Sequence, residues 1–237
     1  MAGSGRESRA RGVGRSRVER EDLVEAPLIV LIAVGLQLVL GLSSLSQEWS
    51  LWFFPGWVWL LPVIPELVLI GVLSTKESRR HSPRDTGRRP IAIALTVVVL
   101  VANLMALVAL IVSLVTQGEA HAGSLLLKGL TIWGTNVVAF GLLYWELDGG
   151  GPFKRLRSRS PRERDFRFPQ QDTPKIAPRD WQPALLDYTY VALTNSIAFS
   201  PTDTMPLTHR AKLAMAAESI LSAVAVLLVI SRAVAIF

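Results

Sequence analysis

Long apolar blocks separated by charged stretches govern what this chain can fold into. The first, 27–45, reads PLIVLIAVGLQLVLGLSSL with Gln37 near its centre. Others cover 51–74, 91–116 and 124–146, and a last one runs from Leu213 to Phe237. Each is long enough to cross about 30 Å of hydrocarbon at about 1.5 Å per residue. A water-soluble core would instead interleave apolar and polar residues at a helix or strand period. Half of the 237 residues are apolar and mean hydropathy is +0.38. The expected fold is therefore all-α, a polytopic helical membrane protein with 5–6 transmembrane helices in hairpins. The bilayer is its first expected partner, and the cell membrane its expected location as a multi-pass protein.

Charge patterning gives the expected orientation. Of 25 Lys and Arg, six lie in 1–22, six in 75–90 and nine in 147–183, whereas 46–50 and 117–123 hold none. Basic residues collect in cytoplasmic loops, so the N-terminus and these three segments are expected inside. The net charge of +6 thus follows membrane topology and not a duplex-binding face, and no nucleic-acid partner is expected. Residues 1–22 read as a disordered basic tail, 23–146 as a four-helix transmembrane region and 147–183 as a basic cytoplasmic loop. The tail and loop could also lie on anionic lipid head groups. The first apolar run is longer than a signal-peptide core and lacks an A-x-A site, so it reads as a retained span. Trp49, Trp52, Phe53, Phe54 and Trp57, with Tyr144 and Trp145, suit an interfacial aromatic belt.

Chemistry is scarce. With no Cys there are no disulfides or thiolates, and three His (His81, His121 and His209) leave little for a metal. No H-E-x-x-H, G-x-S-x-G or Walker pattern occurs, so neither an enzyme nor a cofactor is expected. Attention falls on polar residues inside apolar blocks, which are expensive in lipid and call for a partner or a function. Glu66 follows Pro62 and Pro65, which kink a helix beside a carboxyl. Asn103 and Asn136 are each the thirteenth residue of their spans, so a helix-packing bond between them is expected. Gly129, Gly134 and Gly141 would permit close helix contact. The short segment PALLDYTYVALTNSIAFSP, 183–201, reads equally as a buried span and as a re-entrant or interfacial helix. Asp187, Asn195 and Asp203 within or beside it, with Glu66 and Glu218, form a candidate polar pathway.

The stretch ALTNSIAFSPTDTMPLTHRAKLAMAAESI, 192–220, resembles the pore segment of bacterial two-span potassium channels. Asp203 matches the last residue of the filter, Pro206–Leu207–Thr208 the following P-V-T, and Lys212–Leu213 the start of the inner helix. Ser200 and Thr202 replace the filter glycines and Pro201 the tyrosine. The resemblance therefore implies a degenerate pore-like short helix plus final helix in 184–237, without ordinary potassium selectivity. More widely, the pattern Asp187–Tyr188–Thr189–Tyr190, then Ser200 to Asp203, then His209–Arg210 and a last apolar helix is similar to an uncharacterised bacterial family of polytopic membrane proteins, a domain of unknown function. That resemblance implies membrane residence and about six helices, and no reaction. Two functions stay open: a channel-like or small-ion transport protein, and a non-transporting scaffold or partner-binding protein. Either could be a homo-oligomer.

Overall fold

The computed structural model describes residues 27–46, 55–74, 85–116, 122–157, 164–173, 181–198, 200 and 203–236. The tail 1–22, the aromatic cluster from Trp49 to Phe54 and most of the residues joining the spans lie outside them. Helices dominate: α1 is Pro27–Ser46, α2 Val63–Ser74, α3 Asp85–Thr116 and α4 Ala122–Leu147. Short α5, Pro152–Arg157, and α6, Pro169–Asp172, follow. Then come α7, Leu185–Ala198, and α8, His209–Ile236. The helices Pro27–Ser46, Arg89–Val115, Gly123–Gly150 and His209–Ile230 are long and apolar enough to cross a membrane. Gly56–Val72 is a shorter apolar helix.

That shorter helix is broken. A 3-10 turn occupies Gly56–Leu60, and α2 starts only at Val63. Pro62 and Pro65 account for the break, because neither can donate the backbone N–H that a continuous helix would use there. Glu66 is thereby placed in the first turn of α2.

Helix α4 is the centre of the bundle. Its apolar window is 78% buried, against 28% for α3 and 22% for α8, which present most of their surface outward. It packs against α3, α7 and α8. Three glycines that the sequence marks for close contact receive three different neighbours. A Cβ at Gly129 would meet Val229 of α8, at Gly134 Leu36 of α1, and at Gly141 the backbone of Thr189 in α7. The helix stops where Gly149, Gly150 and Gly151 adopt φ of 60°, 83° and 98°. Only glycine takes such angles without strain, so the chain turns off the helix axis there.

Beyond that turn, β1 (Phe166–Arg167) pairs antiparallel with β2 (Met205–Pro206), Phe166 opposite Pro206 and Arg167 opposite Met205. The two strands flank α7 in sequence, so both ends of the α7 segment are anchored at the same end of α4. Between them α7 spans 14 residues, about 21 Å. Its C-terminal half reaches Met215 and Glu218 of α8 through Asn195. The chain then returns to β2. An aromatic chain seals this end, with ring centroids 5.2 Å apart for Tyr144–Phe166, 6.0 Å for Phe166–Tyr188 and 5.2 Å for Phe168–Tyr188.

The close approach at Gly141 yields a test. A Cβ there would lie 2.9 Å from Thr189 Cα, which is backbone and cannot swing aside. Gly141→Ala should therefore cost about 1–3 kcal/mol of stability in detergent. Gly71→Ala, with nothing within 4 Å, should cost none. Equal effects would mean that α7 does not press on α4.

Candidate functional site

Three sets of polar side chains are built around α4, one at its C-terminal end and two within the apolar layer. At the end, Asp148 is fully buried. Its Oδ1 accepts the backbone N–H groups of Asp165 (2.6 Å) and Phe166 (3.1 Å), and its Oδ2 the hydroxyl of Tyr188 (2.6 Å). Arg164 Nη1 lies 3.6 Å and Arg155 Nε 3.9 Å from Oδ2. The Arg155 guanidinium also stands 5.0 Å over the Tyr188 ring.

Asp165, likewise fully buried, completes the arrangement. Arg210 grips it with both Nε (2.6 Å) and Nη2 (2.5 Å), Thr208 donates at 2.6 Å and the Gly149 N–H at 3.0 Å. Burial alone would raise this carboxyl, but these donors outweigh it and hold Asp165 below its ordinary 3.8. Burial pushes Tyr188 well above its ordinary range, so its hydroxyl stays a donor to Asp148.

Helix ends leave carbonyls without intrahelical partners. Here arginines supply them: Arg155 donates to the carbonyls of Trp145 and Asp148, and Arg89 of α3 to that of Glu146. All four carboxylate oxygens of Asp148 and Asp165 accept hydrogen bonds. With every one of these oxygens matched, the arrangement is a clasp.

Within the apolar layer, Glu218 Oε2 accepts from Tyr144 (2.6 Å) and from Asn195 Nδ2 (2.7 Å). Asn195 also donates to the Met215 carbonyl and accepts from Ser219. Glu66 is elsewhere: its Oε1 accepts from Gln37 Nε2 of α1 at 2.8 Å, and the same nitrogen reaches Thr135 of α4 at 3.4 Å. Thr135 and Tyr144 are nine residues apart, two and a half turns, so the two networks lie on opposite faces of α4.

The five residues of the candidate pathway are therefore distributed. The structure brings Asn195 and Glu218 together and sets Glu66 apart. Asp187 sits in the first turn of α7, where its Oδ2 accepts the Ala184 N–H at 2.8 Å. That is the back-reaching half of a capping box. Burial raises its carboxyl, and the Ala184 bond offsets part of that. Asp203 is exposed in the turn before β2.

The expected Asn103–Asn136 bond is not formed. Asn103 Nδ2 donates to the Ile132 carbonyl at 3.0 Å and Asn136 Nδ2 to Ser222 Oγ of α8 at 3.0 Å. The two line one narrow cavity with Trp133 and Ser222, yet each amide is spent on a nearer acceptor.

No family model, curated protein or solved structure matches the chain. Among the described residues no group of three or more His, Asp or Glu gathers to hold a metal ion. Sequence reasoning missed Asp148 and Asp165, and named Tyr188 and Arg210 only as members of the Asp187–Tyr190 and His209–Arg210 pattern. For Asp148 the legible signal was an acidic residue beside a triple glycine in an otherwise basic loop.

The clasp gives a paired test on one helix. Tyr188→Phe strips a donor from buried Asp148 and should cost about 1–3 kcal/mol. Tyr190→Phe, at a 54% exposed position, should stay within about 0.5 kcal/mol of wild type. Unfolding of both purified variants measures the difference, and equal stabilities would contradict the role given to Asp148.

Proposed function

We propose that this chain is a non-transporting integral membrane protein of the cell membrane, a scaffold or partner-binding protein that crosses the bilayer five times. The crossings would be the four long helices and the shorter Gly56–Val72 helix. The Lys and Arg bias supports a cytoplasmic N-terminus and places the clasp at the end of α4 on that side. With both flanks of α7 held there, α7 is re-entrant and α8 runs outward.

The observation that carries this reading is the employment of the polar groups in and around α7. Asn195 and Glu218 bond Tyr144, Met215 and each other, Asp187 caps α7, and Glu66 is on the far side of α4. Such bonds hold helices together for about 0.6–2 kcal/mol each and need no permeating ion to explain them. What the fold presents instead is a structured platform at the membrane face, with Lys154, His209 and Lys212 exposed on it and Arg167 paired with Asp172. A surface of that charge fits an acidic partner, and anionic head groups are the nearest one.

The test is flux. Purified protein in liposomes should pass small cations no faster than empty liposomes, and Asp203→Asn and Glu66→Gln should change nothing. Flux above the empty control that falls in either variant would overturn the scaffold reading in favour of the channel-like one.

A further inference from the structure

The geometry points to a buried monovalent-cation site at Glu66, between α1, α2, α3 and α4. Glu66 is 1% exposed and Gln37 3%. Glu66 Oε1 has its bond from Gln37 Nε2, but Glu66 Oε2 and Gln37 Oε1 are both enclosed with no hydrogen-bond donor. No basic side chain among the described residues stands within ion-pair reach of Glu66, and the nearest base on the same face of α4 is Lys128, seven residues and about 10 Å from Thr135.

A cavity of ≈ 10 Å³ adjoins Glu66, with Thr96 and Thr135 also in its lining and Val30, Leu69 and Val99 forming apolar walls. That volume is at the threshold for one water-sized occupant. The Thr96 hydroxyl gives its hydrogen to the Ala92 carbonyl, so its remaining lone pairs are free to face an ion. Thr135 Oγ1 adds a second hydroxyl oxygen.

The chemistry of this set is one-sided. Its lining offers a carboxylate and two hydroxyls, hard oxygen acceptors of the kind that hold cations with no preference for soft ligands. A water could donate to the two orphaned oxygens, yet it would leave the charge of Glu66 uncompensated in a low-dielectric interior, at several kcal/mol. A single monovalent cation meets both needs.

The local backbone agrees. Glu66 lies in the first turn of α2, just after the chain breaks at Leu61–Pro62. Glu218 also keeps one oxygen, Oε1, without a donor, but its Oε2 receives two, from Tyr144 and Asn195. The site is lined by α1, α2, α3 and α4, and an ion held there fastens α1 and α2 to α4.

The experiment uses the full chain in detergent, with its unfolding followed in NaCl, LiCl, KCl and choline chloride at equal ionic strength. Sodium or lithium should raise the midpoint by about 5 °C over choline, with a saturable dependence on concentration. Glu66→Gln should abolish that difference and Thr135→Val should weaken it. Should Glu66→Gln fail to fold, equilibrium dialysis of the wild type against radioactive sodium still decides: retention close to one ion per chain is expected. A wild-type protein that binds no sodium and melts alike in all four salts would overturn the site and leave a protonated carboxyl in its place. The same salt dependence in Glu66→Gln as in wild type would also overturn it.

Discussion

Asp148 has no exposed surface and holds several separate stretches of chain to one point. Backbone N–H groups at the start of β1, the hydroxyl of Tyr188 in α7 and the guanidinium groups of Arg155 and Arg164 all converge on it. A carboxylate so enclosed is tolerable only when every oxygen is matched, and removing one partner from such a group is costly. The position of α7 follows from this. Its entry is fixed through Tyr188 and its exit through β2, whose neighbour Leu207 donates to the Asp165 carbonyl at 2.8 Å. The start of α8 follows too, because Thr208 and Arg210 bind the Asp165 side chain.

The apolar layer obeys the same constraint in another form. Water is absent there, so each polar side chain needs a protein partner or an ion. Helix α4 supplies partners on two opposite faces, Thr135 toward α1 and Tyr144 toward α8. That arrangement explains why α4 is the most enclosed helix while α3 and α8 keep apolar surface for lipid. It also separates two carboxyls that hydropathy alone would place in one path. Glu218 has two donors, both on one oxygen, and Glu66 has one; each carboxyl keeps its other oxygen buried without a donor.

Much of the frame was legible from hydropathy. The blocks 27–45, 91–116 and 124–146 became α1 and the apolar cores of α3 and α4, and Pro62 and Pro65 foretold the break before Glu66. Other features needed information that sequence order does not carry. Asn103 and Asn136 have matching depth, but depth says nothing of rotation about the helix axis, and Ser222 of α8 proved the nearer acceptor for Asn136. The last block was read as starting at Leu213, whereas α8 begins at His209, because Thr208 Oγ1 accepts the Ala211 N–H and starts the helix among polar residues. Asp187 was read as a pathway residue, although its place just after Pro183–Ala184 is that of a capping carboxylate. Asp165 and Arg210 are 45 residues apart, and no local periodicity could have paired them.

The central claim is that the clasp keeps both flanks of α7 on one side of the membrane. Because the chain has no native cysteine, single cysteines can be placed at exposed Lys154, Met205 and Leu207 and probed with a membrane-impermeant maleimide. In sealed cells all three should resist labelling, and all three should react once the inner face is opened. Labelling of Met205 or Leu207 from the outside, with Lys154 still protected, would show that α7 crosses the bilayer and would contradict this account.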